Sequence, residues 1–210
     1  MNLFLNAVST NWKLILFDKN REIISDYNFS ILWNESEKLI WIIDDFLKQN
    51  NIKYSDLENL IVVAWPGSFT GIRTIVLMIN TINFVIKKNI TSLNYFDLFT
   101  DFPIIKSSSK RDSFLKKDKS SEIEIIKNDD LIKYLSENNI AKVYWENKNL
   151  LKLSTEGFNP LNKNWTINSF NHLNNIEIFE KIDYSAIIKK IEFKSEKIIN
   201  PIYIKKPSIS

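Results

Sequence analysis

The chain has 210 residues, a mass of 24.8 kDa and a formal net charge of +3. Hydrophobic residues make up 44% and charged residues 25%, and this composition argues against wholesale disorder. Positive and negative charges are interspersed along the chain, so the charge pattern neither requires nor excludes an RNA partner. The chain has no cysteine and a single histidine, His172, which excludes disulfides, thiolate zinc sites, cysteine nucleophiles and multi-histidine metal centres.

The N-terminal half predicts a clear order of elements. The predicted strands cover residues 3–8, 13–18, 22–29 and 60–64, and the predicted helices cover residues 35–50 and 70–87. Short polar turns separate the first three strands, and Asn34 with Glu37 forms a capping-box pattern at the first helix. The continuous apolar run at 60–64 is typical of a strand that is buried on both faces of a sheet.

The C-terminal half predicts shorter, alternating elements. The predicted strands cover residues 103–105, 113–116, 122–126 and 141–145, and the predicted helices cover residues 129–138 and 176–191. Residues 90–98 are expected to form a connection, residues 146–175 a loop and residues 201–206 an extended tail. The basic run from Lys106 to Lys119 is interpreted as a solvated hairpin, with contact to nucleic-acid phosphates as the alternative.

The turn between residues 60–64 and 70–87 is the most informative feature of the sequence. Its residues are Pro66, Gly67, Ser68, Phe69, Thr70, Gly71, Ile72 and Arg73. Pro66-Gly67 favours a tight turn, Ser68 or Thr70 is placed to cap the helix, and Gly71 permits close approach of a backbone or a ligand. An anion site at the helix N-terminus is one hypothesis. A tight connection whose glycines serve packing is favoured, since no Lys-Ser/Thr pair follows as in a Walker loop.

This turn closely resembles the signature of the TsaB family, also called YeaZ, the non-catalytic partners of the tRNA threonylcarbamoyl transferase TsaD. The helix start at residues 34–40, the lead-in at 54–60 and the ending at 200–207 are similar to the same family. The resemblance implies an α/β protein with the actin-like, ribonuclease-H-like fold. It would have a full N-terminal lobe at 1–98, carrying the turn and the interface helices, and a smaller C-terminal lobe with an extended tail at 99–210.

Both predicted N-terminal helices carry more apolar surface than one core-facing stripe requires. Either a second layer of this chain or another subunit must cover the excess. The second hypothesis is preferred, because TsaB-like proteins pair with TsaD, or with themselves, through the corresponding helices. The residues expected at such a subunit interface are Leu39, Trp41, Ile42, Phe46, Ile72, Ile75, Val76, Ile79 and Ile82.

Asn6 stands where the resemblance places an acidic residue that helps to hold a metal-bound nucleotide in actin-like proteins. An asparagine accepts hydrogen bonds but does not supply the negative charge that Mg²⁺ requires. We therefore expect a degenerate nucleotide site, with no catalytic residue, metal or cofactor belonging to this chain. The resemblance assigns ATP, threonylcarbamoyl-AMP and the metal to partner subunits.

Two hypotheses of different classes follow. The first is a scaffold subunit that binds a TsaD-like catalytic subunit, in a complex with a TsaE-like ATPase that modifies the adenosine beside the anticodon of tRNAs reading A-starting codons. When the catalytic subunit is absent, this chain is expected to form a homodimer instead. The chain is expected to contact tRNA only through the complex. The second is an autonomous actin-like-fold ATPase, kinase or peptidase-like enzyme. The sequence has no signal-peptide pattern and no uninterrupted apolar span, so a cytoplasmic location without membrane contact is expected.

Overall fold

The structure is a computed structural model, and it describes residues 1–9, 12–30, 38–67, 69–108, 112–140, 142–145, 177–179 and 182–204. The chain forms two compact units: unit 1 comprises Met1–Leu98 and Asp183–Ser210, and unit 2 comprises Phe99–Ile182. The sequence-based division differs, because it places residues 99–210 together. The structure assigns the last segment to unit 1, where the backbone groups of Glu196 and Ile90 pair at N–O distances of 2.8 and 3.2 Å.

Within the described residues, unit 1 is built on a five-stranded sheet in the order β3-β2-β1-β4-β5. Its strands are β1 (Asn2–Asn6), β2 (Trp12–Phe17), β3 (Ile23–Phe29), β4 (Asn59–Trp65) and β5 (Asn89–Asn94). Its first two helices are α1 (Lys38–Gln49) and α2 (Phe69–Ile86). The pairs β3–β2 and β2–β1 are antiparallel, whereas β1–β4 and β4–β5 are parallel. This arrangement confirms the predicted order of three strands, a helix, a strand and a helix.

The core of unit 1 lies between this sheet and the inner faces of the helices. All residues of β1 and β2 are buried, and β4 is buried except at its two ends. The buried residues of α1 are Leu39, Ile43, Phe46 and Leu47, and the buried large residues of α2 are Ile72, Ile75, Val76, Ile79 and Ile82. Burial of each such side chain is worth about 1.5–3 kcal/mol, so these helix faces make a large contribution to the stability of unit 1.

Unit 2 contains a second sheet, which has the order β10-β9-β6-β7-β8 among the described residues. Its strands are β6 (Ile104–Ser107), β7 (Asp112–Lys116), β8 (Glu124–Lys127), β9 (Lys142–Trp145) and β10 (Glu177–Phe179), and its helix is α3 (Asn128–Glu137). A buried cluster joins the strands to α3, and it contains Ile105, Leu115, Leu131, Leu135, Val143 and Trp145. The predicted loop at 146–175 lies outside the described residues.

The predicted helix at 176–191 is wrong in its first part. The structure has a strand at Glu177–Phe179 and a short helix, α4, only at Tyr184–Lys190. Asp183 explains the late start of α4, because its side chain accepts a hydrogen bond from the backbone N–H of Ala186 at 3.0 Å and so forms an N-cap. α4 belongs to unit 1, where the ring of its Tyr184 packs edge-on against Phe4 of β1.

The chain after α4 forms a C-terminal strap, defined here as residues 191–204, along the β5 side of unit 1. Glu196 makes an antiparallel bridge with Ile90 of β5, and the Lys194 N–H donates to Thr91 Oγ1 at 2.9 Å. The strap also crosses α2, where Asn83 Nδ2 donates to the carbonyl of Lys197 at 2.9 Å. The strap therefore covers an edge of the sheet that would otherwise present unpaired backbone groups.

Candidate functional site

The turn between β4 and α2 is tightly packed. Pro66 follows a cis peptide bond and is buried, and Gly71 is buried in the first turn of α2. A Cβ atom at Gly67 would lie 3.5 Å from Ile72 Cγ1 and 3.6 Å from Val8 Cγ1, which are ordinary contact distances. The described glycines have no positive φ. The surroundings of Gly67 are therefore those of a packed connection, with room for a methyl group.

The motif turn contacts the C-terminal strap through aromatic rings. The ring centroids of Phe69 and Tyr203 lie 4.7 Å apart, and the guanidinium carbon of Arg73 lies 5.4 Å from the Phe69 centroid. Tyr203 belongs to the ending that resembles the same family, so this segment and the motif turn meet in space. The capping prediction is not tested here, because Ser68 and the side chain of Thr70 lie outside the described part.

Asn6 is fully buried, and both of its side-chain polar atoms are engaged. Its Nδ2 donates to Ser9 Oγ at 2.7 Å and to Tyr184 Oη at 2.9 Å, and its Oδ1 accepts from the Val8 N–H at 3.3 Å. The end of β1 is thus closed by a neutral hydrogen-bond network instead of an exposed carboxylate. Across the described ranges, no three His, Cys, Asp or Glu side chains are grouped so as to hold a metal ion.

The structure corrects most of the predicted interface set. Seven of the nine residues are at most 7% exposed, since they pack in the core of unit 1: Leu39, Phe46, Ile72, Ile75, Val76, Ile79 and Ile82. These side chains therefore pack within unit 1, and of the seven only Ile82 also lines a surface groove, which is described below. Of the predicted set, only Trp41 is well exposed, at 66%, while Ile42 is partly buried.

A different set of apolar residues on the same two helices faces outward. This exposed apolar face consists of Ile40 and Trp41 of α1 with Leu77, Phe84 and Val85 of α2. Phe84 is 83% exposed and Val85 is 75% exposed, which is unusual for large apolar side chains side by side on a helix. A helical wheel of about 100° per residue separates them from the buried stripe, but both faces of α2 are apolar, so the sequence alone does not show which face is the inner one.

A groove of about 400 Å³ runs between α1 and α2 beside the exposed apolar face. Its lining is almost entirely apolar, and it consists of Ile40, Trp41, Asp44, Tyr54, Thr81, Ile82, Val85 and Ile86. Burial, with a smaller effect of the negative charge of Asp44, raises the pKa of Tyr54 to about 12. The Tyr54 hydroxyl is therefore neutral at physiological pH, and Asp44 forms an ion pair with Lys48 one turn further along α1. The groove has the volume and apolarity of a site for an inserted apolar side chain.

Three lysines of the basic run that the structure describes are buried or paired within unit 2. Lys106 is 4% exposed on β6, Lys116 Nζ donates to the carbonyl of Ser121 at 2.6 Å, and Lys117 pairs with Glu124 at 2.7 Å. β6 and β7 pair antiparallel, as expected for a hairpin, while Lys110 and Arg111 lie outside the described residues. His172 lies outside the described residues.

These observations define the class of the protein: it has the actin-like, ribonuclease-H-like α/β fold. A solved structure with this fold is YeaZ from Pseudomonas aeruginosa, at 11% identity and a TM-score of 0.51, with 60% of this chain and 66% of that chain aligned. Another is an uncharacterized protein described as similar to peptidase YeaZ from Pseudomonas aeruginosa, at 10% identity and a TM-score of 0.52, with 60% and 65% aligned. The chain thus spans slightly less than two thirds of each neighbour, and at these identities the likeness establishes the fold alone.

The sequence comparisons are consistent with a diverged chain. No protein-family model matches it. The uncharacterized protein MG208 of Mycoplasma genitalium is 24% identical over 212 residues, which cover 98% of this chain and 95% of that protein. Within the described ranges, none of the helices has both the length and the apolarity needed to cross a bilayer.

Proposed function

We propose that this chain is a TsaB-like, non-catalytic subunit that binds a TsaD-like catalytic subunit through the exposed apolar face of α1 and α2. The observation that carries this proposal is the outward placement of Trp41, Leu77, Phe84 and Val85 around an apolar groove. Apolar side chains clustered in this way are typical of a subunit interface, and their burial by a partner is strongly favourable. The fold shared with YeaZ and the motif turn support the choice of partner.

In this proposal the catalytic site belongs to the partner subunit. The TsaD-like subunit binds the metal and threonylcarbamoyl-AMP, and the complex, with its TsaE-like ATPase, modifies the adenosine beside the anticodon of tRNAs that read A-starting codons. This chain contributes shape and an apolar docking face. The closed hydrogen-bond network of Asn6 supports such a division of roles, because a Mg²⁺-nucleotide would need the position occupied by this neutral amide to supply charge.

The proposal includes a cytoplasmic location and access to tRNA only through the complex. When the partner is absent, a second copy of the chain would cover the same exposed apolar face, because two identical apolar faces can pack against each other in a symmetric dimer. The alternative function is an autonomous ATPase, kinase or peptidase-like enzyme. The likeness to a structure described as similar to a peptidase is the observation behind the last of these.

Reconstitution tests the proposal against this alternative. The TsaD-like protein from the same genome should modify tRNA substantially faster when this chain is added, and the isolated chain should give no saturable heat on titration with Mg-ATP. A rate that does not depend on the chain would contradict the proposed role. Tight Mg-ATP binding or peptide hydrolysis by the isolated chain would favour the autonomous enzyme.

A further inference from the structure

The C-terminal strap follows α2 along most of its length. Its contacts with α2 occur in reverse order: Lys197 with Asn83, Ile199 with Asn80, and Tyr203 with Phe69. The helix rises about 21 Å between positions 83 and 69. An extended chain covers about 20 Å between positions 197 and 203, so the strap runs antiparallel to α2 in an extended conformation.

Paired hydrogen bonds fix the middle of the strap. The Asn80 amide both donates to the Ile199 carbonyl at 2.9 Å and accepts from the Ile199 N–H at 3.0 Å. Ile199 is only 3% exposed, whereas its neighbour Ile198 is 68% exposed and Ile202 is 45% exposed. This part of the strap thus places Ile199 in the core and presents Ile198 and Ile202 to the surface.

These outward isoleucines lie beside the exposed apolar face. On a wheel of about 100° per residue, Phe84 lies between Asn80, which holds the strap, and Thr81, which lines the groove. Because Asn83 and Asn80 bond to the strap residues on either side of Ile198, Ile198 follows the flank of α2 that neighbours Phe84, and both side chains are exposed. Solvent exposure of apolar groups on two elements that meet in this way is characteristic of one binding surface.

We propose that the strap is the third element of the docking face, and that Ile198 and Ile202 contact the TsaD-like subunit together with Leu77 and Phe84. This inference rests on the proposed function and specifies its surface. Phe84 would occupy the centre of the interface, between the groove and the strap, and Ile198 would lie towards its edge. Central aromatic residues normally dominate the binding energy, while flanking residues contribute less.

The test is calorimetric titration of the full chain with the TsaD-like protein from the same genome, using single glutamate substitutions at exposed positions. Phe84→Glu is expected to weaken binding by about a hundredfold or more, and Ile198→Glu by about tenfold. Ile24→Glu is the matched control, because Ile24 is 57% exposed on β3, at the far edge of the same sheet from β5. It should leave the affinity unchanged, and all three variants should keep the wild-type melting temperature.

The outcomes separate this inference from the function on which it rests. If Phe84→Glu abolishes binding while Ile198→Glu and the double variant with Ile202→Glu bind like wild type, the strap does not contribute and the inference is overturned. If Phe84→Glu also binds like wild type, or wild type does not bind, the proposed function itself fails. If Ile24→Glu weakens binding as much as Ile198→Glu does, the loss of affinity comes from the added negative charge and not from the strap, and the inference is overturned.

Discussion

At the scale of single residues, the amide side chains of Asn80 and Asn83 explain a feature of α2 that looks unfavourable in the sequence. Asn80 and Asn83 interrupt an apolar helix, and Asn83 is only 4% exposed. The Asn83 side chain accepts from the Lys88 N–H at 2.8 Å and donates to the Lys197 carbonyl at 2.9 Å, so it serves both the helix end and the strap. A buried polar side chain with both functions satisfied stabilises a defined arrangement, whereas an unsatisfied one is costly.

Replacement of Asn83 should therefore be destabilising. Asn83→Leu leaves the carbonyl of Lys197 and the N–H of Lys88 without this partner at part-buried positions, and the expected loss is about 1–2 kcal/mol in the free energy of unfolding. Urea denaturation measures this loss. Thr81→Ala is the control on the same helix, because Thr81 is exposed and bonds only its own helix backbone at Leu77; it should change stability by less than about 0.5 kcal/mol. Equal stability of the two variants would show that the strap contact is not used in solution.

Tyr54 gives a prediction of pH dependence. Burial and Asp44 raise its pKa from 10.0 to about 12, so the folded state favours the protonated hydroxyl. The resulting contribution to stability is fully present below pH 10 and is lost as the pH rises from 10 to 12. In a spectrophotometric titration of the folded chain, Tyr54 should ionise late, and Tyr54→Phe should remove that late step. A Tyr54→Phe variant that retains the late ionisation would contradict the assignment.

At the scale of elements, the inner and outer faces of α2 should respond differently to truncation. Ile75→Ala removes a fully buried side chain from the core and should cost about 2–5 kcal/mol, whereas Leu77→Ala changes a residue that is 69% exposed and should cost less than about 0.5 kcal/mol. Chemical denaturation of the two variants measures the difference. Similar losses at both positions would show that Leu77 is covered in the free chain.

The sequence predicts the elements of unit 1 well because their periodicities are strong. β1, β2 and β4 are apolar runs, and α2 begins within one residue of its predicted start. The prediction missed β5, because its polar residues Thr91 and Ser92 make this strand resemble a polar connection in the sequence. In the structure these two side chains bond to residues of the strap. Such long-range pairing leaves little local signal.

The residues of the exposed apolar face were predicted less well than the strands and helices of unit 1. The sequence indicates the two helices that carry the exposed apolar face, but the excess of apolar residues does not by itself show which residues are inside. The predicted set followed the core-facing stripe, as with Ile75 and Ile79, because that stripe has the clearest helical period. Only packing against a particular sheet determines that Phe84 and Val85 are the residues left outside.

At the scale of the whole molecule, α4 and the strap join the C-terminal segment to the N-terminal half of the chain. Tyr203 contacts Phe69 at the motif turn, and Arg21 Nη1 donates to the carbonyl of Ile188 in α4 at 2.7 Å. Unit 1 is thus completed by a segment that follows unit 2 in the chain. A docking face assembled from α1, α2 and the strap therefore requires the full-length fold, and not the N-terminal segment alone.

Side-chain footprinting of the complex tests the central proposal most directly. Hydroxyl radicals should modify Trp41, Leu77 and Phe84 in the free chain, where these residues are 66%, 69% and 83% exposed, and the TsaD-like partner should protect all three. Tyr27, which is 48% exposed on β3, should remain equally reactive in both states. Protection of Trp41 and Phe84 is the result that the proposal predicts. A stable complex in which both residues remain as reactive as in the free chain would contradict it.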